Sequence, residues 1–231
     1  FSLPRTPQWE NYGRAWTIGK MGVYFKNSII LTAATLFVSA IIGSMASYIL
    51  AKYTFKGKSF VYILFLAGMM IPIQTVIIPL AFTFGKLGIV DNLPVLVLLY
   101  SAFCLSMTVF IVTGYMKGLP DELEEAAVMD GAGHGIVFFR IILPLSMPAI
   151  ASASIFNFVS AWNNLLFPLV FISKDSMKTI SIGLLSFFGA YTSDYGAVMA
   201  AIGVSIIPPI IMYILLQEKM EKGLTAGAVK G

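Results

Sequence analysis

A chain of 231 residues that is 58% apolar and only 11% charged lies outside the composition of water-soluble domains, and it has no long polar stretch from which to build a second core. It therefore reads as one membrane domain. Its net charge of +4 comes from Lys and Arg scattered between apolar runs, which excludes the basic stripe a nucleic-acid partner needs, and its one cysteine, Cys104, excludes an internal disulfide or a multi-cysteine metal site.

Residues 1–27 mix polar and aromatic side chains. Pro4 and Pro7 argue against an early helix, and Trp9, Tyr12, Trp16 and Tyr24 suit a membrane interface, so this segment is expected to be interfacial and extracytoplasmic. No initiator methionine or signal sequence precedes Phe1, and the opening residues read as the interior of a loop, so further residues are expected upstream. The first span is expected from Ser28 to Leu50, uncharged and longer than the roughly 20 residues that cross a hydrocarbon core. Ser39, Gly43 and Ser47 recur every four residues along it, as do Ala40 and Ser44, giving faces on which helices approach closely. Lys52, Lys56 and Lys58 crowd the following loop, the kind of positive cluster retained in the cytoplasm.

The second span, 60–84, contains Pro72, Gln74, Thr75 and Pro79. Prolines leave backbone carbonyls in need of partners, so a kink buried against neighbouring helices is expected here. Gln74 beside it either lines a passage or joins two helices by a hydrogen bond. A turn over 85–92 leads to the third span, Leu93 to Tyr115.

Next comes LPDELEEAAVMDGAGHGIVFFRIILP, Leu119 to Pro144, where Asp121, Glu122, Glu124, Glu125, Asp130 and Arg140 gather. Pro120 suits the first turn of a helix, the acids behind it complement the positive helix end, and Gly131 suits a left-handed C-terminal stop. Leu123, Ala126, Ala127 and Asp130, at i, i+3, i+4 and i+7, predict a short helix with a small face of the kind that seats in a groove. His134, the only histidine, has no second ligand near it and is expected to face solvent.

The fourth span is expected from Pro148 to Ile172 and holds Asn157, Trp162, Asn163 and Asn164. With Gln74, Asn157 and Asn163 are the candidates to line a solute path. Thr179 to Ser193 is apolar but too short to span, and is expected at the outer surface. The last span, Gly196 to Gln217, carries Pro208 and Pro209, which should bend it, and a tail over 218–231 follows.

These spans contain no Asp, Glu, Lys, Arg or His, which disfavours proton coupling. Gly57-Lys58-Ser59 lacks the glycine five residues upstream that a phosphate-binding loop requires, Lys52 standing there instead, so ATP hydrolysis is not expected of this chain. No pairing of a nucleophile with a base suggests a catalytic centre, and no metal or cofactor site is expected. Energy must come from a partner.

Glu125, Ala126, Ala127, three residues, Gly131, nine residues, then Ile141, Ile142, Leu143 and Pro144 resembles the EAA signature of ATP-binding-cassette importer permeases in order and spacing. SAWNNLLFPLVF, from Ser160, and the terminal KMEKGLTAGAVKG resemble the carbohydrate uptake branch, of the maltose and glycerol-phosphate type, whose members often carry an acid at the position of Asn164. The resemblance implies an all-α, polytopic transmembrane bundle with the type I importer permease fold, five spans in this chain and a first span upstream. Its transmembrane domain would cover 28–217. A cytoplasmic loop, 116–147, would couple to the ATPase through Glu125, Ala126, Ala127, Asp130, Gly131, Ile141, Leu143 and Pro144, and the tail would also be cytoplasmic. The implied partners are a second permease, two ABC ATPase subunits that use the ATP, and an extracytoplasmic solute-binding protein, in the lipid of a bacterial or archaeal cytoplasmic membrane. Span alternation puts eight of the 15 Lys and Arg on the loop side, so charge barely sets the orientation, and the dense 51–59 loop together with the resemblance sets it. Importers of amino acids, peptides or phosphonates share the EAA pattern and remain alternatives. A channel or a membrane-embedded enzyme is a further one, against which the missing charged pore ring and catalytic pair count.

Overall fold

Three apolar runs form unbroken helices long enough to cross a bilayer: α2 (Met21–Lys52), α5 (Leu93–Met116) and the Tyr195–Gln217 part of α12 (Tyr195–Ala228). The computed structural model describes residues 6–190 and 194–228, all of whose regular structure is helical. The expected interfacial start at 1–5, the end of the outer-surface piece at 191–193 and the last three tail residues lie outside them.

Two expected spans are broken, and both depart from the sequence reading. The second is not one kinked helix but a pair, α3 (Lys58–Met70) and α4 (Ile73–Leu87), bent by 95°. Ile71, forced out of helical geometry by the ring of the following proline, has ψ 113°, and Pro72 itself has ψ 129°. Pro79 sits inside α4 without ending it. The fourth expected span, Pro148 to Ile172, stops early: α9 (Met147–Trp162) ends at Asn163, and a separate short helix, α10 (Leu166–Phe171), follows. Asn164 explains the restart, because its Oδ1 accepts the Phe167 N–H at 3.1 Å.

The other boundaries shift modestly. After α1 (Glu10–Thr17), α2 begins seven residues before the expected span, so Met21 to Asn27 are continuous with the spanning helix. Ile180–Ala190 forms α11, a helix too short to span, whose Ile180, Ile182 and Phe187 are buried against the rest of the protein. Pro208 and Pro209 lie within α12 without ending it.

The hub is the α2–α5 pair. The small-residue face of α2 meets α5 so closely that a Cβ on Gly43 would lie 2.5 Å from Thr108 Cγ2, and Ser39, Ser44 and Ser47 are buried along it. α9 joins through Asn157, whose Nδ2 donates to Thr108 Oγ1 at 2.8 Å. At one end Asp91 accepts the N–H groups of Ser173 and Lys174 at 2.6 and 2.8 Å, which hold its carboxyl below the usual carboxylate range. Asp175 at that end receives Lys20 Nζ at 2.6 Å and the Tyr24 hydroxyl at 2.9 Å. At the other end Lys52 and Tyr53 meet the 119–134 loop. The chain thus alternates ends as the span order requires, with 51–59 and 116–147 together.

Candidate coupling site

The loop after α5 begins with a tight turn in which the Leu119 N–H donates to the Met116 carbonyl at 3.2 Å. α6 (Glu122–Met129) follows, and its first turn carries Glu122, Glu124 and Glu125 against the positive helix end. Pro120 precedes this helix and does not occupy its first turn: the Asp121 carbonyl accepts the first helical bonds, from the Glu124 and Glu125 N–H groups. The stop is at Gly131, whose φ of +84° is left-handed. Its N–H donates to the Val128 carbonyl and the Ala132 N–H to the Ala127 carbonyl, both at 2.9 Å, the paired bonds that close a helix through a glycine.

Beyond the stop, α7 (His134–Val137) runs into a wider π turn over Phe138–Ile142, which holds Arg140 and Ile141, and then into α8 (Leu143–Leu145), with Pro144 in its first turn. A π turn inserts one extra residue per turn, so the chain changes facing here without leaving helical geometry. Val137, Phe138 and Ile142 are buried against Tyr48, Val112 and Met116, and Ile141 and Leu143 pack half-buried on the same cluster.

The predicted small face of α6 is divided. Ala127 turns inward and is buried, whereas Leu123, Ala126 and Asp130 face out with Glu125. The outward face is completed by Val128 and by Met129, 88% exposed, two apolar side chains that a reading based on small residues missed. For Met129 the signal was present, because Glu122, Glu125, Ala126 and Met129 also fall at i, i+3, i+4 and i+7. A cleft of about 460 Å³ beside this face is lined by Lys52, Tyr53, Glu124, Glu125, Val128, Met129 and His134.

Polar contacts fix the loop to α2. Lys52 Nζ lies 2.6 Å from both Asp121 Oδ1 and the Leu119 carbonyl, and its hydrogen bond holds the Asp121 carboxyl below the usual carboxylate range. The Tyr48 hydroxyl donates to Glu124 Oε2 at 2.9 Å. Tyr53 Oη and His134 Nδ1 are 2.8 Å apart, so the histidine is exposed, as expected, but partnered. Among the described residues no group of three His, Cys, Asp or Glu side chains is placed to hold a metal.

The candidate path residues have three different surroundings. Asn157 is buried and spends its amide on Thr108, joining helices. Gln74 is exposed on α4 just past the 95° break. Asn163 is exposed and lines a cavity of about 450 Å³ with Trp162, Ser181 and Ser205.

Comparison with known proteins gives a consistent set of likenesses. Residues 39–226 match the family described as binding-protein-dependent transport system inner membrane component. The chain is 34% identical over 232 aligned residues to the diacetylchitobiose uptake system permease protein of Streptomyces coelicolor, covering 100% of this chain and 77% of that one. It is 34% identical to a probable starch degradation products transport system permease protein of Thermoanaerobacterium thermosulfurigenes, covering 99% and 83%. The arabinooligosaccharides transport system permease protein of Halalkalibacterium halodurans is likewise 34% identical, with 99% and 81% covered. In fold it is similar to a chain of the crystal structure of a bacterial ABC transporter involved in the import of the acidic polysaccharide alginate, with a TM-score of 0.79 at 24% identity over 94% of this chain and 81% of that one.

Proposed function

The chain belongs to the family of binding-protein-dependent transport system inner membrane components, and we propose that it is one permease half of an ATP-binding-cassette importer for a carbohydrate. It is a multi-pass protein of the cytoplasmic membrane. Relatives whose names concern chitobiose, starch products and arabinooligosaccharides support the carbohydrate class over amino acids, peptides or phosphonates.

The observation that carries the coupling reading is the outward face of α6. It leaves Glu125, Ala126, Val128 and Met129 uncovered at the cytoplasmic end while the opposite face is fixed by Tyr48, Lys52 and Ala127. Apolar side chains presented on a fixed, acid-rimmed helix outside the bilayer suit a protein partner. In this reading Glu125, Ala126 and Asp130 touch the ATPase subunit, Gly131 shapes the helix end, Ala127, Ile141 and Leu143 support it from behind, and Pro144 starts the turn back toward α9. Two ATPase subunits bind and hydrolyse ATP, and their closure pushes α6 and rocks the helices between inward-open and outward-open arrangements. A second permease completes the path, and an extracytoplasmic solute-binding protein delivers the solute to that path, in which Asn163 and Gln74 are the candidates to meet it. Asn157 is better read as helix packing.

The test is co-purification from membranes expressing the chain with its partner subunits, followed by ATP hydrolysis in vesicles against a panel of oligosaccharides, amino acids, peptides and phosphonates. ATPase subunits should accompany the chain, oligosaccharides alone should stimulate hydrolysis, and the isolated chain should hydrolyse nothing. Absence of ATPase subunits, or hydrolysis by the isolated chain, overturns the reading.

A further inference from the structure

Tyr48 and Lys52 stand four residues apart, so both leave one face of the last turns of α2. Asp121 and Glu124 stand three apart at the start of α6, again on one side. The two pairs meet. Lys52 Nζ contacts Asp121 Oδ1 at 2.6 Å across 69 residues of chain, and the Tyr48 hydroxyl donates to Glu124 Oε2 at 2.9 Å across 76. The Lys52 side chain is only 5% exposed although Asp121 is 80% exposed, so the cation is committed to the loop. Its second acceptor, the Leu119 carbonyl, belongs to the same turn.

A short helix attached to its protein at one point can spin about its axis. Held at two points three residues apart, about 4.5 Å along the axis, it cannot. Spin matters here because each residue is separated from the next by about 100°, so a one-residue rotation would present Glu124 and Val128 where Glu125 and Met129 now stand. We propose that Tyr48 and Lys52 are positioning residues that set the rotation of α6 about its own axis, keeping Glu124 and Ala127 inward and presenting Glu125, Ala126 and Met129 to the ATPase subunit. The proposal rests on α6 being the coupling helix. The same grip passes a push on α6 directly to α2, a helix that the chain itself does not connect to the loop.

The experiment uses the chain coexpressed with its partner subunits, with Cys104→Ser removing its only cysteine and Ala127→Cys reporting on the inward face. In inside-out vesicles one measures the rate of maleimide modification at 127, the ATPase subunits retained and the membrane abundance of the chain. Tyr48→Phe with Lys52→Met should speed modification about tenfold, by releasing the helix from its inward contacts. It should weaken ATPase retention about five- to tenfold at unchanged abundance. Lys52→Arg should preserve both, because the guanidinium also reaches a carboxylate and a carbonyl. An unchanged modification rate in the double variant overturns the proposal. If that variant fails to insert, Tyr48→Phe alone, which deletes one hydroxyl, is read in the same way, and an unchanged rate there overturns it. If the unsubstituted chain retains no ATPase subunit, the coupling reading fails instead, while the rate at 127 still reports on the grip.

Discussion

Gly131→Leu separates backbone shape from side-chain contact at the end of α6. A Cβ built at Gly131 meets nothing within 4 Å, so substitution brings no clash, and the whole cost is that of holding an L-residue at φ +84°. That cost is about 1–2 kcal/mol, counting the left-handed strain and the loosened bonds from residues 131 and 132 to Val128 and Ala127. The α2–α5 core does not depend on it, so the chain should insert normally. The same energy applied to a helix end shifts the ratio of closed to frayed ends by roughly 5–30-fold, enough to disturb a helix of only eight residues. Gly131→Leu should therefore keep wild-type membrane abundance while losing transport and ATPase co-purification. Gly131→Asn should lie between the two, because asparagine tolerates the left-handed region. Wild-type transport in the leucine variant would refute the reasoning. Equal damage by Asn and Leu would show that side-chain bulk, not backbone shape, is at issue, and loss of abundance in step with transport would reduce Gly131 to a folding role.

Asn157→Ala and Thr108→Val should each lower thermal stability in detergent by about 1 kcal/mol, with a combined effect smaller than the sum, because both break the same buried bond; an additive pair would mean that the bond is not shared. Asn164→Asp should be tolerated, since a carboxylate caps the Phe167 N–H as well as an amide does, whereas Asn164→Ala should cost about 1 kcal/mol by the same melt. Asp175 is held well below the usual carboxylate range by Lys20 first, then Lys178 and Tyr24, so its contribution is present at neutral pH and is lost as pH falls below the unfolded value of about 3.9. Hydrogen exchange at 173–178 should thus stay slow at pH 5 and quicken in Asp175→Asn at pH 5 and above; fast exchange in the unsubstituted chain at pH 5 would contradict this. His134→Cys, with Cys104 replaced, should react with an impermeant thiol reagent in inverted vesicles and not in intact cells, and the reverse pattern would invert the topology.

Much of the span order was legible because apolar length is a strong signal: α5 ends within one residue of its expected limit, and the α2 small-residue face packs as its four-residue repeat implies. Gly131 was legible for a local reason, since a glycine just past a helical pattern has one common use. The breaks were not. Pro72 and Pro79 look alike in sequence, yet one ends a helix and the other sits within it, because the outcome depends on what the freed backbone groups meet in three dimensions. Asn164 read as a departure from an acid, whereas its geometry is that of a cap, a role that Asp and Asn share. The partners of α6, Tyr48 and Lys52, lie some 70 residues upstream, and no local pattern pairs them with Asp121 and Glu124.

The break at Ile71 and Pro72 bears on assembly. α3 has 13 residues, which at 1.5 Å per residue carry the chain about 20 Å from the cytoplasmic end, short of a hydrocarbon core about 30 Å thick. Extended backbone at that depth is tolerated only where protein or a water-filled cavity covers it, since lipid offers its polar groups no partner. Yet Ile71 is half exposed, and the recess beside it, about 370 Å³, is lined almost wholly by apolar side chains such as Leu80, Leu99 and Phe103. Pro72 has no N–H and its carbonyl accepts the Thr75 N–H at 3.0 Å and the Thr75 hydroxyl at 2.7 Å, so the break carries partners of its own, and the apolar recess beside it is a poor host for water. A second protein surface would fill that recess with side chains and cover Ile71. The α3–α4 bend is thus the surface on which we place the proposed second permease.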